Sequence, residues 1–533
     1  MDRGAGLVIL IFYWTPLTSP NASIQWDAVD THYSPQKYFS ERLRQGELPY
    51  WTPYPFSGFP FLADPQVGAC AYGLSGFFAG HSSHVGIFQA ASWLPWLLLC
   101  LRMALDSRLA RFAALGGLLG GLVILAGHLQ TALYAFAALA LYAAGELITR
   151  RRDWWRAAGF LAVTLAAALL VSAIQTLPAL ELTAESIRAG ASYGDAREGV
   201  LEPRALPAVL FPDALGVLSG NYHGPGDITQ YRLYAGILLV PLALAGLGDA
   251  RTRLPALLLI VPAAWYMLGP AAGLYRLGAL LPAFHKVRAP IHGWFVVTLG
   301  LALLAAAGIR WTTQRWKWRY LGLLLSVVFL LDLCYWNSWK NPLTYARASF
   351  DDLYGNAKEM TRKMVAARQP PRTRFEAPER LIVLGPLNHP LDLRLEATYG
   401  YNPLKLAAYD EYVQAISVNP KLRDGLSVSR RLDLEARSLR ELNTYLPRAY
   451  FAREIIAAAS LAESRRLLRS LDPARQTMVA QPHPPIRQDA QATASIVSHS
   501  EQEYRIRYRA ASPSLLRLSV PHFPRLARAD RRR

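Results

Sequence analysis

Charge is what long parts of this sequence lack. No Asp, Glu, Lys or Arg occurs from Ala113 to Gly145, from Ala157 to Leu180, from Leu254 to Tyr275 or from Ala289 to Ile309. A soluble domain rarely tolerates one such run, whereas a hydrocarbon layer about 30 Å thick needs roughly 20 apolar residues in a helix to cross it. Cysteine is scarce as well. Cys70, Cys100 and Cys334 show no metal-ligand spacing and imply no disulfide framework. Two of them lie in apolar runs, where a thiol is usually a small buried hydrophobe. Acids are in the minority, 38 against 57 Lys and Arg in 533 residues, for a net charge of +19. In a soluble chain that balance points to nucleic acid. Here the basic residues cluster between apolar runs, so they read as topology and as contacts with anionic lipid, and no nucleic-acid partner is expected.

The mean hydropathy of +0.14 averages two unlike parts. The expected fold is a polytopic α-helical membrane domain over 1–339 followed by a soluble α/β domain over 340–533. The first apolar stretch, Ala5 to Leu17, reads as a short spanning helix in preference to a signal peptide. A long polar and aromatic loop follows, about 19–84, in which Lys37 to Arg44 suggest a short interfacial helix. Further spans are expected near 85–105, 112–127, 129–147, 157–178, 233–248, 254–272, 291–309 and 320–337, which makes about nine. Arg108 and Arg111, Arg150 to Arg152 with Arg156, Arg251 with Arg253, and Arg310 with Arg315, Lys317 and Arg319 fall in alternate loops. The positive-inside rule puts those loops in the cytoplasm, so the 19–84 loop, the turn at His128, the 179–232 and 273–290 loops and the C-terminal domain face out. Gly116, Gly117, Gly120 and Gly121 form small-residue pairs four apart, read as a close helix-packing surface without further function.

In the C-terminal part, Ser460 and Glu463 form a capping box ahead of Leu467 and Leu468. Tyr504, Ile506 and Tyr508 alternate with charged residues, and Leu516, Leu518 and Val520 with polar ones. Both predict strands with one buried face, expected to be neighbours in an antiparallel sheet.

Chemistry concentrates in the first long loop. Asp27 and Asp30, three apart, stand among Trp26, Tyr33 and Tyr38. An acid partly desolvated at a membrane surface has a raised pKa and suits a general base, although a helix cap or a solvated loop acid fits the same spacing. The aromatic and proline-rich text from Gly46 to Gln66, with Trp51, Tyr54 and Asp64, could stack on a lipid-linked sugar or form a plain interfacial belt. Lys286 and Arg288 could hold a phosphate or touch headgroups, with Arg the better bidentate donor. His81 and His84 are three apart, but no third ligand is evident, so no metal is assigned. His128 follows Gly127 at a helix junction and reads first as a packed polar histidine.

The order Asp30, Gly46–Tyr54 (GELPYWTPY), Gly58–Gln66 (GFPFLADPQ), Gly127-His128-Leu129-Gln130, Val287-Arg288-Ala289-Pro290, Gly400–Leu404 (GYNPL) and Tyr409–Tyr412 (YDEY) resembles the bacterial YfhO-like membrane proteins along nearly the whole chain. That family is similar to the GT-C glycosyltransferases. The resemblance implies a glycosyltransferase of the bacterial inner membrane, with the C-terminal domain extracytoplasmic. It implies transfer of a sugar from a polyprenyl-phosphate-linked donor to a cell-envelope glycan or lipid acceptor on the outer face. Asp30 matches the activating acid, with Asp27 as second choice. Lys286, Arg288, Trp51, Tyr54, Asp64 and His128 are the candidates for substrate contact, with Arg288 assigned to the leaving phosphate from charge and sidedness. A divalent metal is left open as cofactor, but none is indicated. The chain departs from the pattern in its short first span, in the few apolar residues after Cys70, and in an Arg-rich tail from Arg525 that reads as a truncated end of the C-terminal domain. The alternative, from another class, is a non-catalytic protein that binds or translocates lipid-linked glycans, or an inactive remnant. A proton-coupled transporter is disfavoured because the spans lack central acids.

Overall fold

The structure is a computed structural model. It describes residues 14–19, 22–24, 28, 33–45, 75–107, 109–151, 153–189, 199–217, 221–278, 280, 288–316, 320–346, 348–349, 352, 372–377, 388–433, 438–479, 486–501 and 503–523. In chain order the main helices are α1 (Ser34–Arg44), α2 (Val85–Ser107), α3 (Ala110–Leu125), α4 (Leu129–Arg150), α5 (Trp154–Glu185), α6 (Leu239–Gly246), α7 (Ala250–Met267), α8 (Pro290–Trp316), α9 (Leu321–Leu333), α10 (Ala407–Ala415) and α11 (Leu461–Leu468). Two compact units form. The first comprises Met1–Val29, Pro65–Thr176 and Ala191–Leu353; the second comprises Asp30–Asp64, Leu177–Gly190 and Tyr354–Arg533.

The helices α2, α4, α5 and α8 are long and apolar enough to cross a membrane. Four such helices mark the chain as a membrane protein. The nine expected spans are not displayed by the described residues. The stretch near 112–127 is the 16-residue α3, about 24 Å long at 1.5 Å per residue. The stretch near 320–337 is split between the 13-residue α9 and a π-helical turn, Cys334–Trp339. The largest departure lies at 233–248, where only Leu239–Gly246 is helical. The preceding residues are not helical, and Gly236 takes φ +106°. Their backbone polar groups find partners outside any helix. Tyr234 O accepts from Gly76 N (2.7 Å), Leu233 O accepts from Trp294 Nε1 (3.2 Å), and Ile237 N donates to Asp332 Oδ2 (2.9 Å). Irregular backbone is tolerated at membrane depth only when it is satisfied in this way. Asp332 is thereby a structural acceptor that also takes the Tyr234 hydroxyl (2.6 Å).

Lipid tails are as apolar as leucine, so helices in a bilayer associate by close packing rather than by escape from water. The glycine stripe of α3 does this. A Cβ on Gly116 would lie 3.1 Å from Phe160 Cζ of α5, one on Gly120 3.0 Å from Ala168 Cβ, and one on Gly121 2.5 Å from Val171 Cγ1. Gly145 of α4 meets Pro255 of α7 as closely (2.5 Å to Pro255 Cα). Leu94, Leu97 and Leu101 of α2, Ala135 and Leu139 of α4, Leu259 of α7 and Phe295 and Val296 of α8 fill the core of the first unit.

The second unit carries small sheets. β1 (Arg374–Glu376) pairs in parallel with β2 (Val428–Asp433), which pairs antiparallel with β3 (Ser438–Glu441). β4 (Ala449–Phe451) is paired with β9 (Leu516–Leu518), β5 (Glu454–Ala457) with β6 (Gln476–Val479), and β7 (Thr493–His499) with β8 (Tyr504–Arg509). The two strands expected from alternation are therefore present as β8 and β9, but they are not neighbours. The capping box is also present, with Glu463 N donating to Ser460 Oγ (3.2 Å) and Glu463 Oε2 accepting from Ala459 N (2.9 Å). Ile416, Leu422, Leu426, Val428, Leu468 and Leu471 pack between α10, β2 and α11. Each such side chain contributes about 1.5–3 kcal/mol on burial.

Arg374, fully buried on β1, ties this unit together. Its Nη1 donates to Leu426 O (2.8 Å) and Ser519 Oγ (3.0 Å), and its Nη2 to Ser519 O (2.6 Å). Burial and the nearby Arg448 push its pKa down to about 10, which still leaves it charged at neutral pH. Arg374→Ala removes these donors from buried acceptors and leaves a cavity. The expected loss is about 3–5 kcal/mol, the usual result of removing one partner from a buried charged network. Limited proteolysis of the full-length protein would read it as rapid cleavage within 372–523. Wild-type resistance would contradict the role.

Candidate functional site

Four histidines gather at one end of the first unit. His81 follows the short helix Gly76–Gly80, and its ring lies 4.4 Å from that of Phe77. His84 is the N-cap residue of α2, His128 is the N-cap of α4, and His292 lies in the first turn of α8. Ring centroids are 5.5 Å apart for His81 and His84, 5.4 Å for His81 and His292, and 5.7 Å for His128 and His292. Three helix N-termini thus converge. Their positive dipole ends disfavour imidazolium and favour neutral rings.

The hydrogen bonds fix two tautomers. His81 Nδ1 is 2.8 Å from the Phe77 carbonyl oxygen, which can only accept, so the proton is on Nδ1 and Nε2 is a bare lone pair. That Nε2 is buried and has no hydrogen-bond partner, and the same is true of His292 Nδ1. His128 Nδ1 accepts from Thr131 N (3.2 Å), capping α4, so its proton is on Nε2. His81 and His128 therefore carry their protons on different ring nitrogens, Nδ1 in the first and Nε2 in the second. Among the described residues no group of three or more His, Cys, Asp or Glu is arranged to hold a metal ion. The rings meet mostly edge to face.

Burial above all, then His84, pushes the His81 pKa down to about 3 from an ordinary 6.5, and the Phe77 carbonyl only partly opposes this. Unfolded His81 takes up a proton near 6.5 and the folded form does not, so the unfolded state binds the extra proton below that pH. Stability then falls as pH drops, by about 2 kcal/mol between pH 7 and pH 5. Asn can reproduce the bond to Phe77 without titrating. Thermal melts of His81→Asn at those two pH values are expected to differ by about 2 kcal/mol less than those of wild type. An unchanged pH response would contradict the burial of a neutral His81.

Gln130, one residue into α4, joins this cluster to the segment before α8. Its Nε2 donates to the carbonyl oxygens of Arg288 and of Ala289 (3.2 Å for the latter), and its Oε1 accepts from Arg288 N (3.2 Å). Ala289 takes φ +44°, a left-handed turn that this clamp stabilises. The Arg288 side chain is exposed. The opposite ends of the same helices carry Arg102 on α2, Arg150 on α4, and Arg310 and Arg315 on α8.

Of the residues singled out from sequence, His128 and Arg288 are brought near each other through Gln130. Asp27, Asp30, Trp51, Tyr54, Asp64 and Lys286 lie outside the described residues. His292 and Gln130 went unnoticed as site residues. The signal for both was their place within or just after the Gly127–Gln130 and Val287–Pro290 motifs. His292 supplies the neighbour that His81 and His84 lacked in sequence. No protein-family model matches the chain, and neither the curated proteins nor the solved structures give a match.

Proposed function

We propose that this chain is a GT-C-type membrane glycosyltransferase. It would transfer a sugar from a polyprenyl-phosphate-linked donor to a cell-envelope glycan or lipid acceptor on the outer face of the bacterial inner membrane. One observation supports the reading most. Two motifs that carry the resemblance, Gly127–Gln130 and Val287–Pro290, are about 160 residues apart in sequence yet are bonded together by Gln130. They lie at the helix ends opposite the arginines. By the positive-inside rule that end faces out. The nine-span topology belongs to the same reading, with α3, α7, the apolar Leu324–Trp339 and the partly unwound 233–248 segment as shorter crossings beside the four long helices, and the Ala5–Leu17 stretch, mostly outside the described residues, as the ninth.

In this reading Asp30 takes the proton of an acceptor hydroxyl as its oxygen attacks the anomeric carbon. The bond from that carbon to the phosphate oxygen breaks, and polyprenyl phosphate leaves with the electron pair. Arg288 neutralises the charge that develops there. Arg288→Ala is expected to lower turnover about 10²–10³-fold, the usual cost of losing a donor to developing charge. Arg288→Lys should recover only part, because a point charge lacks the bidentate fork. The assay is release of free polyprenyl phosphate in proteoliposomes containing several polyprenyl-phospho-sugars. Wild-type rates from Arg288→Ala would remove this residue from the mechanism.

A further inference from the structure

Helix α1 begins four residues after Asp30 and belongs to the same compact unit as the C-terminal domain. Its polar residues 34, 37, 38, 41 and 42 recur at three- and four-residue spacing, so they share one face. That face meets two acids far apart in the domain sequence. Ser34 Oγ donates to Asp392 Oδ2 (2.7 Å), and Lys37 Nζ lies 3.3 Å from Asp392 Oδ1. One turn on, the Tyr38 hydroxyl donates to Glu501 Oε2 (2.6 Å), and Arg42 Nε lies 3.2 Å from the same oxygen. Glu41 and Arg394 add a looser pair at 3.7 Å. Ser34 and Tyr38 are almost wholly buried, at 0% and 2% exposure. The bonds of Ser34, Tyr38 and Arg42 are charge-assisted and largely shielded from water, the strong kind, while Lys37, Glu41 and Arg394 stay about half exposed.

Both acids are themselves held. Asp392 sits on the short helix His389–Leu393, whose N-cap Asn388 exchanges two hydrogen bonds of 2.9 Å with the Tyr401 backbone. The Gly400–Leu404 motif thereby fixes the turn that presents Asp392. Glu501 lies at the tip of the β7–β8 hairpin, next to the Ser500 N to Glu503 O bond of 2.8 Å. Burial pushes the Asp392 pKa up, but the bonds from His389 and Ser34 and the Lys37 charge outweigh it, and the net shift is downward.

We propose that Asp392 and Glu501 of the C-terminal domain clamp helix α1 as positioning residues, and that transfer by Asp30, four residues ahead of that helix in sequence, depends on the clamp. This rests on the glycosyltransferase reading. A misplacement of about 1 Å can cost about 100-fold in rate.

The test combines Asp392→Asn with Glu501→Gln, which keep the shapes and remove the charges. In full-length protein in proteoliposomes, turnover of polyprenyl-phospho-sugar is expected to fall about 100-fold with the donor KM changed less than about twofold. Amide exchange in a peptide covering 34–45, the helix that Asp392 and Glu501 hold, should quicken about tenfold, with α4 and α8 unchanged. Turnover and exchange both at wild-type values would overturn the clamp. Faster exchange with undiminished turnover would overturn its catalytic role. Absence of turnover in wild type refutes the glycosyltransferase reading itself and is seen before any variant is made, whereas the exchange experiment judges the clamp independently.

Discussion

Gly308→Leu is expected to yield no folded, monodisperse protein, and Gly308→Ala to melt well below wild type. The reason is a crossing of α6 and α8 in which two glycines face each other. A Cβ on Gly308 would overlap the Leu242 carbonyl oxygen and stand 3.1 Å from Gly246 N; a Cβ on Gly246 would overlap the Leu304 carbonyl oxygen and stand 3.0 Å from Gly308 N. The obstacle is backbone on both sides, so no rotamer change relieves it and the helices must separate. Overpacking in ordinary cores costs about 1–3 kcal/mol, and rigid backbone on both sides puts even Ala at the upper end of that range. Separation would also pull Ala235, Leu239 and Leu242 away from Ala305, the buried cluster beside the crossing. Thermal unfolding in detergent by size-exclusion chromatography checks this. A Gly308→Leu protein that elutes and melts like wild type would contradict the crossing.

That crossing was not legible in the sequence, although the α3 stripe was. Gly116, Gly117, Gly120 and Gly121 repeat at helical spacing within one helix, so their packing role can be read locally. Gly246 and Gly308 are single glycines whose meaning comes from a partner 62 residues away. The same distinction runs through the rest of the fold. The apolar runs that became α2, α4, α5 and α8 were readable because length and lack of charge suffice for a crossing. The run at 233–248 was misjudged because hydropathy does not register that Asp332, Trp294 and Gly76 stand ready to satisfy an unwound backbone. Strands β8 and β9 were readable from alternation, which specifies a face. Their partners β7 and β4 were not, because alternation carries no information on which strand lies alongside. In the candidate site, the His81 and His84 pair could be seen in sequence, but convergence with His128 and His292 required three helix starts to meet.

Asp30 carries the largest expected effect on chemistry. A hydroxyl is a poor nucleophile until its proton is removed, and a positioned carboxylate contributes about 10²–10⁴-fold by accepting that proton. Asn keeps the shape and cannot serve as the base, so Asp30→Asn is expected to lose nearly all transfer while retaining donor affinity. Asp27→Asn separates the two acids, and if Asp30 is the base that variant keeps most of its activity. The most direct measurement compares purified wild type with Asp30→Asn in proteoliposomes loaded with polyprenyl-phospho-sugars and a hydroxyl acceptor, following free polyprenyl phosphate. The account predicts release by wild type and a fall of at least about 100-fold in the variant. No release by folded wild type with any donor tried would contradict the account and favour a non-catalytic binder of lipid-linked glycans.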